Sequence, residues 1–380
     1  MKSYDVIIIG RGLSALSTAW HLRRLGIGRV CLMAPNQNWS NCVSFSGHMA
    51  TASLHDNISR TVHNLGVEAA KDLLALGRLG FSQLVDLLET WRLPHATGQV
   101  IRLGLSDHET TEMEVATKWL KENGFPSTLK KASLPFHGCR SMQHDGTAAV
   151  SFDMQGLLSR LEQDLNAETM VTTVGSLEEK ESGVVVNTSC GKKFHSEIVV
   201  AACHAGIKTL VPNLSTALVN HADQRVEFDL LEGDAPIEPG DHVLAEHSHF
   251  WVTYTHQKRL IAGGARFLRK WGGVEAESAT VMDHVSTTVK KKWEDIFDIK
   301  LSEPISARGF IELYACDELP IIGPMFGNSR ILVTSGYMNS GSSFALAAGQ
   351  GLAEYVATGK SKSVSSIFLP NRLRSLPESN

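Results

Sequence analysis

The stretch DVIIIGRGLSALSTAWHLRRLG, which begins at Asp5, constrains the fold more than any other part of this 380-residue chain. Residues 4–9 form a run rich in β-branched residues and bounded by glycine, which is typical of a buried parallel strand. Gly10-Arg11-Gly12-Leu13-Ser14-Ala15 follows, and apolar residues then recur at helical spacing as far as Leu25. A strand, a glycine turn and a helix in this order predict the beginning of a βαβ unit.

The glycine motif indicates a site for nucleotide phosphates. Gly10 permits a tight turn, Gly12 lets a pyrophosphate approach the backbone, and Ala15 keeps the helix close to the strand. The free N–H groups and the positive dipole end at the start of the helix favour an anion. A purely structural turn is the alternative, because such a motif alone is weak evidence.

The second predicted strand, 29–33, leads to Ala34, where a dinucleotide-binding fold usually carries an acid. An alanine side chain accepts no hydrogen bond from a ribose. The 2′-phosphorylated nicotinamide cofactor would need an arginine near this position, but residue 35 is a proline. The sequence therefore disfavours an exchangeable nicotinamide cofactor. We expect Asn36, Asn38 or the main chain to hold the adenosine.

The remaining chain changes between helical and strand patterns without an internal repeat. Helical patterns cover 59–92, 108–123, 154–165, 275–297 and 343–357, and a strand hairpin turns near Gln257-Lys258. This order predicts one discontinuous nucleotide-binding domain, interrupted by a second, sheet-rich domain. The predicted boundaries are 1–80, 140–215 and 306–380 for the first domain, and 81–139 and 216–305 for the second.

Composition narrows the classes of partner. The net charge of −4 gives no basic surface, so nucleic acid and anionic membranes are poor candidates. No window approaches the ~18 apolar residues of a membrane span. The start of the chain has no signal-peptide pattern, and the cysteines show no C-x-x-C spacing, so we expect a cytoplasmic protein. We expect no metal site, because His247, His249 and His256 have no carboxylate or cysteine at ligand spacing.

Four segments together resemble the D-amino-acid oxidase superfamily of FAD-dependent oxidoreductases, with glycine and sarcosine oxidases nearest in size. One is the glycine motif. SEIVVAACHAG (196–206) is similar to the family's VVxAAGAW, and FDMQGLLSRLEQDL (152–165) is similar to vdPxxlxxaLxxxa, with Met154 where proline is usual. DELPIIGP with SGYMNSGSSFALAAGQGLAEYVATGK (317–360) resembles the C-terminal unit. The implied fold is α/β: a Rossmann-like FAD-binding domain interleaved with an α+β substrate domain on a mixed or antiparallel sheet.

The resemblance implies a set of FAD contacts without a covalent bond: Gly10, Gly12, Leu13, Ser14, Ala15, Ala34, Ser44, Ser46, Gly47, His48, Val174, Ala202, Gly323, Gly336, Asn339, Ser340, Gly341 and Ser342. In this family the late glycine/serine turn begins a helix whose N–H groups face the flavin's pyrimidine edge and stabilise its reduced, anionic form. A plain helix cap is the alternative there. A covalent link through His48 is a further alternative, whereas the cysteine that sarcosine oxidases link to flavin aligns with Phe310.

The resemblance also implies where a substrate binds. In amino-acid-oxidising relatives an Arg or Tyr five residues before the aspartate of DGLPxIG holds the substrate carboxylate, and that position is Glu312 here. A carboxylate repels another carboxylate and attracts a cation, which favours an amine or an amino acid in another orientation. Strand alternation places Arg308, Glu312 and Tyr314 on one face, so an Arg308–Glu312 ion pair is the alternative. Tyr254 lies on a strand whose aromatics either line a cavity or pack in the core.

These features predict an FAD-dependent amine oxidase or dehydrogenase acting on a CH–NH or CH–NH₂ group. The expected catalytic residues are Glu312, Arg308, Tyr254 and His48. Its partners are a small amine and oxygen or another electron acceptor. The alternative is an FAD-binding subunit or maturation flavoprotein of the same fold that acts on a peptide or protein, or within a larger dehydrogenase complex. A protein partner or a homo-oligomer is compatible with both.

Overall fold

The computed structural model describes residues 1–35, 48–133, 135–165, 167–231, 235–326 and 329–374, with the backbone alone for 146–148. Within this part of the chain, no helix is both long and apolar enough to cross a membrane. Its strands, in chain order, are β1 (Lys2–Ile9), β2 (Val30–Ala34), β3 (Met49–Thr51), β4 (His95–Gly104), β5 (Thr128–Lys131), β6 (Ser141–Phe152), β7 (Glu168–Val171), β8 (Val174–Lys180), β9 (Gly183–Thr188), β10 (Lys193–Ala201), β11 (Leu218–Phe228), β12 (His242–Ala245), β13 (Phe250–Tyr254), β14 (Leu260–Gly264), β15 (Ser306–Ala315), β16 (Ile321–Pro324) and β17 (Ile331–Ser335).

The α-helices in the same residues are α1 (Leu13–Arg24), α2 (Ile58–Leu65), α3 (Val67–Thr90), α4 (Asp107–Glu122), α5 (Met154–Leu165), α6 (Ile207–Leu210), α7 (Asp283–Phe297) and α8 (Gly341–Thr358). Two compact units result. Unit 1 comprises 1–44, 154–220 and 312–380, and unit 2 comprises 45–153 and 221–311.

Unit 1 contains an eight-stranded sheet with the central order β16-β17-β10-β1-β2-β7. β1 pairs in parallel with β10 and β2, and β10 pairs in parallel with β17. β1 is fully buried from Val6 onward, as its β-branched composition predicts. The parallel order with crossing helices confirms the Rossmann-like prediction.

Helices α1 and α8 pack closely on this sheet. A Cβ on Gly349 would lie 2.2 Å from Ser17 Oγ and 2.7 Å from the Thr18 backbone nitrogen. The Ser17 hydroxyl donates to the Leu346 carbonyl oxygen at 3.1 Å, which fixes the register of the two helices. Small residues therefore bring together the two helices that begin near the carboxyl ends of β1 and β17.

Unit 2 is built on a nine-stranded mixed sheet with the order β15-β11-β14-β13-β12-β4-β6-β3 and β5 beside β6. One face, which we call the helix face, packs apolar residues such as Val226, Phe250 and Ala262 against Trp293 of α7. The opposite face carries Leu244, Trp251 and Ile261, which are buried as well. Alternate residues of β13 therefore lie on the two faces of the sheet, and both sets are buried.

Three expectations about domain or helix boundaries differ from the structure. Residues 45–80 and 140–153 belong to unit 2 and not to the first predicted domain, because β3 pairs with β6. The helical pattern at 59–92 is divided by Gly66, whose φ of 87° ends one helix and precedes the next. The polar helix begins at Asp283 instead of 275, since Glu275 itself has a left-handed φ of 54°. The hairpin near Lys258 is confirmed by the antiparallel β13–β14 pairing.

Candidate functional site

A cleft opens in unit 1 at the carboxyl ends of three adjacent parallel strands. After β1 it is lined by Gly12, Leu13 and Ser14, and after β10 by Ala202 and His204. After β17 the lining continues from Thr334 to Met338 and at Gly341, with Leu313 alongside. The carboxyl edge of a parallel sheet is where folds of this kind bind nucleotides. Residues predicted from both ends of the sequence therefore meet in one place.

The two motif glycines serve the cleft in different ways. Gly10 has a φ of 133°, and a Cβ there would lie 2.2 Å from the Ala202 carbonyl oxygen, so it lets two strand ends approach. Gly12 has an ordinary φ of −82° and lines the cleft as the N-cap of α1. The backbone therefore explains the glycine at position 10, whereas a ligand close to the backbone would explain the glycine at position 12.

Two helix N-termini line this cleft, that of α1 through Leu13 and Ser14 and that of α8 through Gly341. Neither Gly12 nor Ser340, the N-caps of α1 and α8, makes a side-chain capping hydrogen bond, and neither first turn contains an acid. Uncapped N–H groups and the positive end of the helix dipole attract anionic ligand groups. This arrangement fits a dinucleotide, with the predicted residues Leu13, Ser14 and Ala15 at one terminus and Gly341 and Ser342 at the other.

Ser335 and Tyr337 line the cleft but were not among the predicted contacts. Ser335 is buried, and its Oγ finds no hydrogen-bond partner among the described residues. The Tyr337 hydroxyl contacts the Thr334 hydroxyl, and burial raises the pKa of Tyr337 to about 12. Both flank Gly336, so the motif that identified this glycine contained the signal for them. A buried hydroxyl without a partner is costly and fits a site that a polar ligand completes.

The adenosine end is only partly described. Ala34 is buried, and its carbonyl oxygen accepts from the Thr172 N–H at 2.8 Å, which secures β2 beside β7. Arg11, inside the glycine motif, forms an ion pair with Glu162, including Nη2 to Oε2 at 2.9 Å. That guanidinium is therefore neutralised by the protein. Asn36, Asn38, Ser44, Ser46 and Gly47 lie outside the described residues.

Two other predicted cofactor contacts, Val174 and Gly323, lie outside the cleft and have structural roles. Val174 pairs with Thr188 at the start of β8. Gly323 has a φ of 135°, and a Cβ there would lie 2.5 Å from Leu369 Cδ2, so packing accounts for this glycine. Neither residue lines the cleft described above, and their contact with a cofactor stays a prediction.

Glu312 is linked to the edge of the cleft by hydrogen-bonding side chains. It is 9% exposed, and the Tyr314 hydroxyl lies 3.4 Å from its Oε2. The same hydroxyl contacts Oδ1 of Asn339, in the turn that precedes α8. A buried carboxylate is therefore tied to the loop that was predicted to face the flavin. An ion pair with Arg308 stays a prediction.

His48 lies in unit 2, directly before β3. Its φ is 52°, and its carbonyl oxygen accepts from the Phe152 N–H at 3.0 Å. Burial lowers the pKa of His48 to about 4, and the charge of Arg225 acts in the same direction. The ring is therefore neutral at physiological pH. A contact of His48 with flavin or substrate stays a prediction.

Tyr254 and Arg308 occupy different environments in unit 2. Tyr254 belongs to the apolar cluster of the helix face, as does Phe250, which supports the core-packing alternative for this strand. Arg308 is exposed on β15, and its charge contributes to lowering the pKa of Arg225, although burial is the larger cause. The Arg308 charge thus acts on Arg225, whereas Tyr254 lies on the opposite face of the sheet from Trp251.

A histidine–carboxylate cluster in unit 2 was not predicted from sequence. His108, Glu112 and His247 have ligand-type atoms within 4.8 Å of one another, so His247 does have a carboxylate companion. Arg60 Nη2 lies 2.6 Å from His247 Nδ1 and 3.3 Å from Glu112 Oε2. The arginine supplies the positive charge that balances this cluster. The long sequence separation between α4 and His247 hid the contact.

The sequence matches one protein-family model, described as FAD dependent oxidoreductase, over residues 5–355. This match covers most of the chain and confirms the family predicted from the four segments. No curated protein matches the sequence at a significant level.

Solved structures give the same fold at low sequence identity. Glycine oxidase from Geobacillus kaustophilus is 16% identical with a TM-score of 0.78, covering 98% of this chain and 99% of its own. L-proline dehydrogenase from P. horikoshii is 15% identical with a TM-score of 0.78, covering 98% of both chains. Iminodiacetate oxidase from Chelativorans sp. BNC1 is 17% identical with a TM-score of 0.74, covering 96% of this chain and 98% of its own.

Proposed function

Because the chain belongs to the D-amino-acid oxidase family of FAD-dependent oxidoreductases, we propose that it oxidises a C–N bond of an amine to an imine. The cleft of unit 1 holds the FAD through Gly12, Leu13 and Ser14 at α1 and through Gly341 at α8. When bound, FAD supplies the hydride acceptor that this oxidation requires. The reaction class is CH–NH or CH–NH₂ oxidation.

The observation that carries this proposal is the position of Glu312. A buried carboxylate connected through Tyr314 to Asn339 lies at the loop before α8. In this setting Glu312 attracts a second, cationic group of the substrate and thereby positions the uncharged amine whose carbon is oxidised. The names of the structural relatives support the proposed reaction class, since they are glycine oxidase, L-proline dehydrogenase and iminodiacetate oxidase.

The α8 N-terminus has a separate role in the proposed reaction. The first turn of α8 would favour negative charge on the ring of bound FAD, because its N–H groups and the positive end of its dipole are already in place. We propose that FAD is held without a covalent bond. Oxygen or another electron acceptor then completes the cycle.

Product analysis tests the reaction class. The FAD-loaded chain is incubated with a panel of small amines, imino acids and amino acids, together with oxygen or an artificial acceptor dye. The expected products are a carbonyl compound and the released amine or ammonia in equal amounts, since water hydrolyses an imine. Acceptor reduction without a carbonyl product would contradict C–N oxidation. Flavin-containing protein that no small amine reduces would instead favour a peptide or protein substrate.

A further inference from the structure

The histidine–carboxylate cluster of unit 2 has no part in the proposed reaction. His108 and Glu112 are one turn apart on α4, and His247 follows β12. Their ligand-type atoms lie within 4.8 Å of one another. Two imidazoles and one carboxylate are a set that Zn²⁺ uses in proteins, with a water in the fourth position. The cluster therefore contains the donor atoms of a transition-metal site.

The distances between these donor atoms fit a single ion. His247 Nδ1 lies 3.1 Å from Glu112 Oε2, and His108 Nδ1 lies 3.8 Å from Glu112 Oε1. Two zinc ligands, each about 2.1 Å from the ion, are about 3.4 Å apart in a tetrahedral site. The His108 side chain is 75% exposed, so its ring is free to rotate toward an ion.

Arg60 shows where a cation is attracted in this cluster. Its Nη2 lies 2.6 Å from His247 Nδ1 and 3.3 Å from Glu112 Oε2. Because a guanidinium can only donate hydrogen bonds, His247 Nδ1 is the acceptor and directs its lone pair at Arg60. A metal ion binds a neutral imidazole through the same lone pair. A positive charge thus already lies between this lone pair and a carboxylate.

The contact of Arg60 with Glu112 is a weak one that an ion can replace. Its two hydrogen bonds are 3.3 and 3.4 Å long, whereas strong guanidinium–carboxylate bonds are about 2.7–2.9 Å long. The Arg60 side chain is also 34% exposed, so it can move into water. A divalent ion in its place brings twice the charge to the same donor atoms.

The turn that carries His247 is held in an unfavourable backbone conformation. Glu246, His247 and Ser248 have left-handed φ values of 50°, 54° and 68°, which persist in residues with a Cβ only where the surroundings hold them. The His247 N–H donates to Oε1 of the buried Glu109 at 3.1 Å, and this oxygen lies 4.0 Å from His247 Nε2. A carboxylate beside the second ring nitrogen is typical of metal-binding histidines.

We propose that His108, Glu112 and His247 bind a divalent transition-metal ion such as Zn²⁺, which displaces the Arg60 guanidinium and connects α4 to the turn 246–248. Two imidazole ligands favour such an ion over Mg²⁺ and Ca²⁺, which prefer oxygen ligands. All of these residues belong to unit 2, and the site does not rest on the proposed amine oxidation. The proposal replaces the expectation from sequence that this chain has no metal site.

Equilibrium dialysis against Zn²⁺ tests the site. The untagged, FAD-loaded chain is freed of metal with a chelator and dialysed against buffered Zn²⁺, and the bound zinc is counted by atomic absorption. We expect one tightly bound Zn²⁺ per chain, with a loss of affinity of about 100-fold or more in His108→Ala, since a ligand counts for more than an outer partner. His284→Gln removes another exposed histidine and should bind Zn²⁺ as the wild type does.

Arg60→Gln tests the displacement of the guanidinium. It should bind Zn²⁺ about tenfold more tightly than the wild type, because the competing positive charge is gone. Weaker or equal binding by this variant would overturn the displacement.

Three results would overturn the site itself: no Zn²⁺ binding by the wild type, equal binding by wild type and His108→Ala, or competition by Mg²⁺ at similar concentrations. Since His108 is exposed, its truncation should leave the fold intact, and circular dichroism checks this. Counting zinc needs no turnover, so failure of amine oxidation leaves the test interpretable.

Discussion

Gly10 and Gly12 are two positions apart, but only Gly12 can be replaced by another residue without straining the backbone. Gly10 needs its φ of 133° and its close approach to Ala202, whereas Gly12 has a φ that any residue adopts. A side chain at 12 would project where the phosphates of a dinucleotide are expected, and would leave the backbone undisturbed. A substitution at Gly12 should therefore affect cofactor binding without affecting folding.

We predict that Gly12→Val gives a folded protein that does not retain FAD, because the isopropyl group occupies the phosphate site. The measurement is the flavin-to-protein ratio after gel filtration, with circular dichroism to check folding. Gly175→Ala is the control, since a Cβ there makes only ordinary contacts of 3.7 Å. Stoichiometric flavin in Gly12→Val would refute the phosphate assignment.

The carboxylate of Glu312 gives a second prediction at the same scale. Glu312→Gln should weaken binding of a diamine by about tenfold while changing the matching monoamine less, because only the charge is removed. Dissociation constants are obtained from the concentration dependence of anaerobic flavin reduction. Tyr314→Phe keeps the carboxylate and should have the smaller effect. Equal losses for both amines in Glu312→Gln would remove Glu312 from the substrate site.

Among the elements, β1 and α1 could be predicted from sequence because their signals are local. A β-branched run, a glycine turn and helical spacing occur within one short stretch, and the structure confirms all three. The assignment of 45–80 could not be predicted, because the β3–β6 pairing joins residues about a hundred positions apart.

The α1–α8 contact carries a prediction at the scale of elements. We expect Gly349→Val to destabilise unit 1 by about 1–3 kcal/mol, because the added side chain collides with Ser17 and the Thr18 backbone. FAD affinity should fall as well, since both helix N-termini shift. Urea denaturation and FAD titration measure the two effects, again with Gly175→Ala as the control. An unchanged denaturation midpoint would show that the helices are not in close contact.

At the scale of the whole molecule, several partly buried histidines are held in their neutral form. Burial lowers the pKa values of His21, His48 and His221 to about 4, from about 6.5 in an unfolded chain. Between these values the unfolded chain binds more protons than the folded one. Acid therefore favours unfolding in this range.

We predict that the free energy of unfolding decreases as the pH falls from about 6.5 toward 4, and that these histidines cause no change above 6.5. Denaturant titrations at several pH values measure the slope. His21→Gln should reduce that slope by up to about one proton, whereas His284→Gln, at an exposed position on α7, should leave it unchanged. A slope that His21→Gln does not alter would contradict the partly buried, neutral state of His21.

The central claim is that this chain uses FAD to oxidise amines. The most direct measurement is the visible flavin spectrum of the purified protein during anaerobic titration with amines and amine-bearing carboxylates. We predict a flavin-containing protein whose oxidised absorption band disappears on adding at least one such compound and returns when an acceptor is admitted. A protein that takes up no FAD would contradict the account entirely. Bound FAD that none of these compounds reduces would contradict the proposed chemistry.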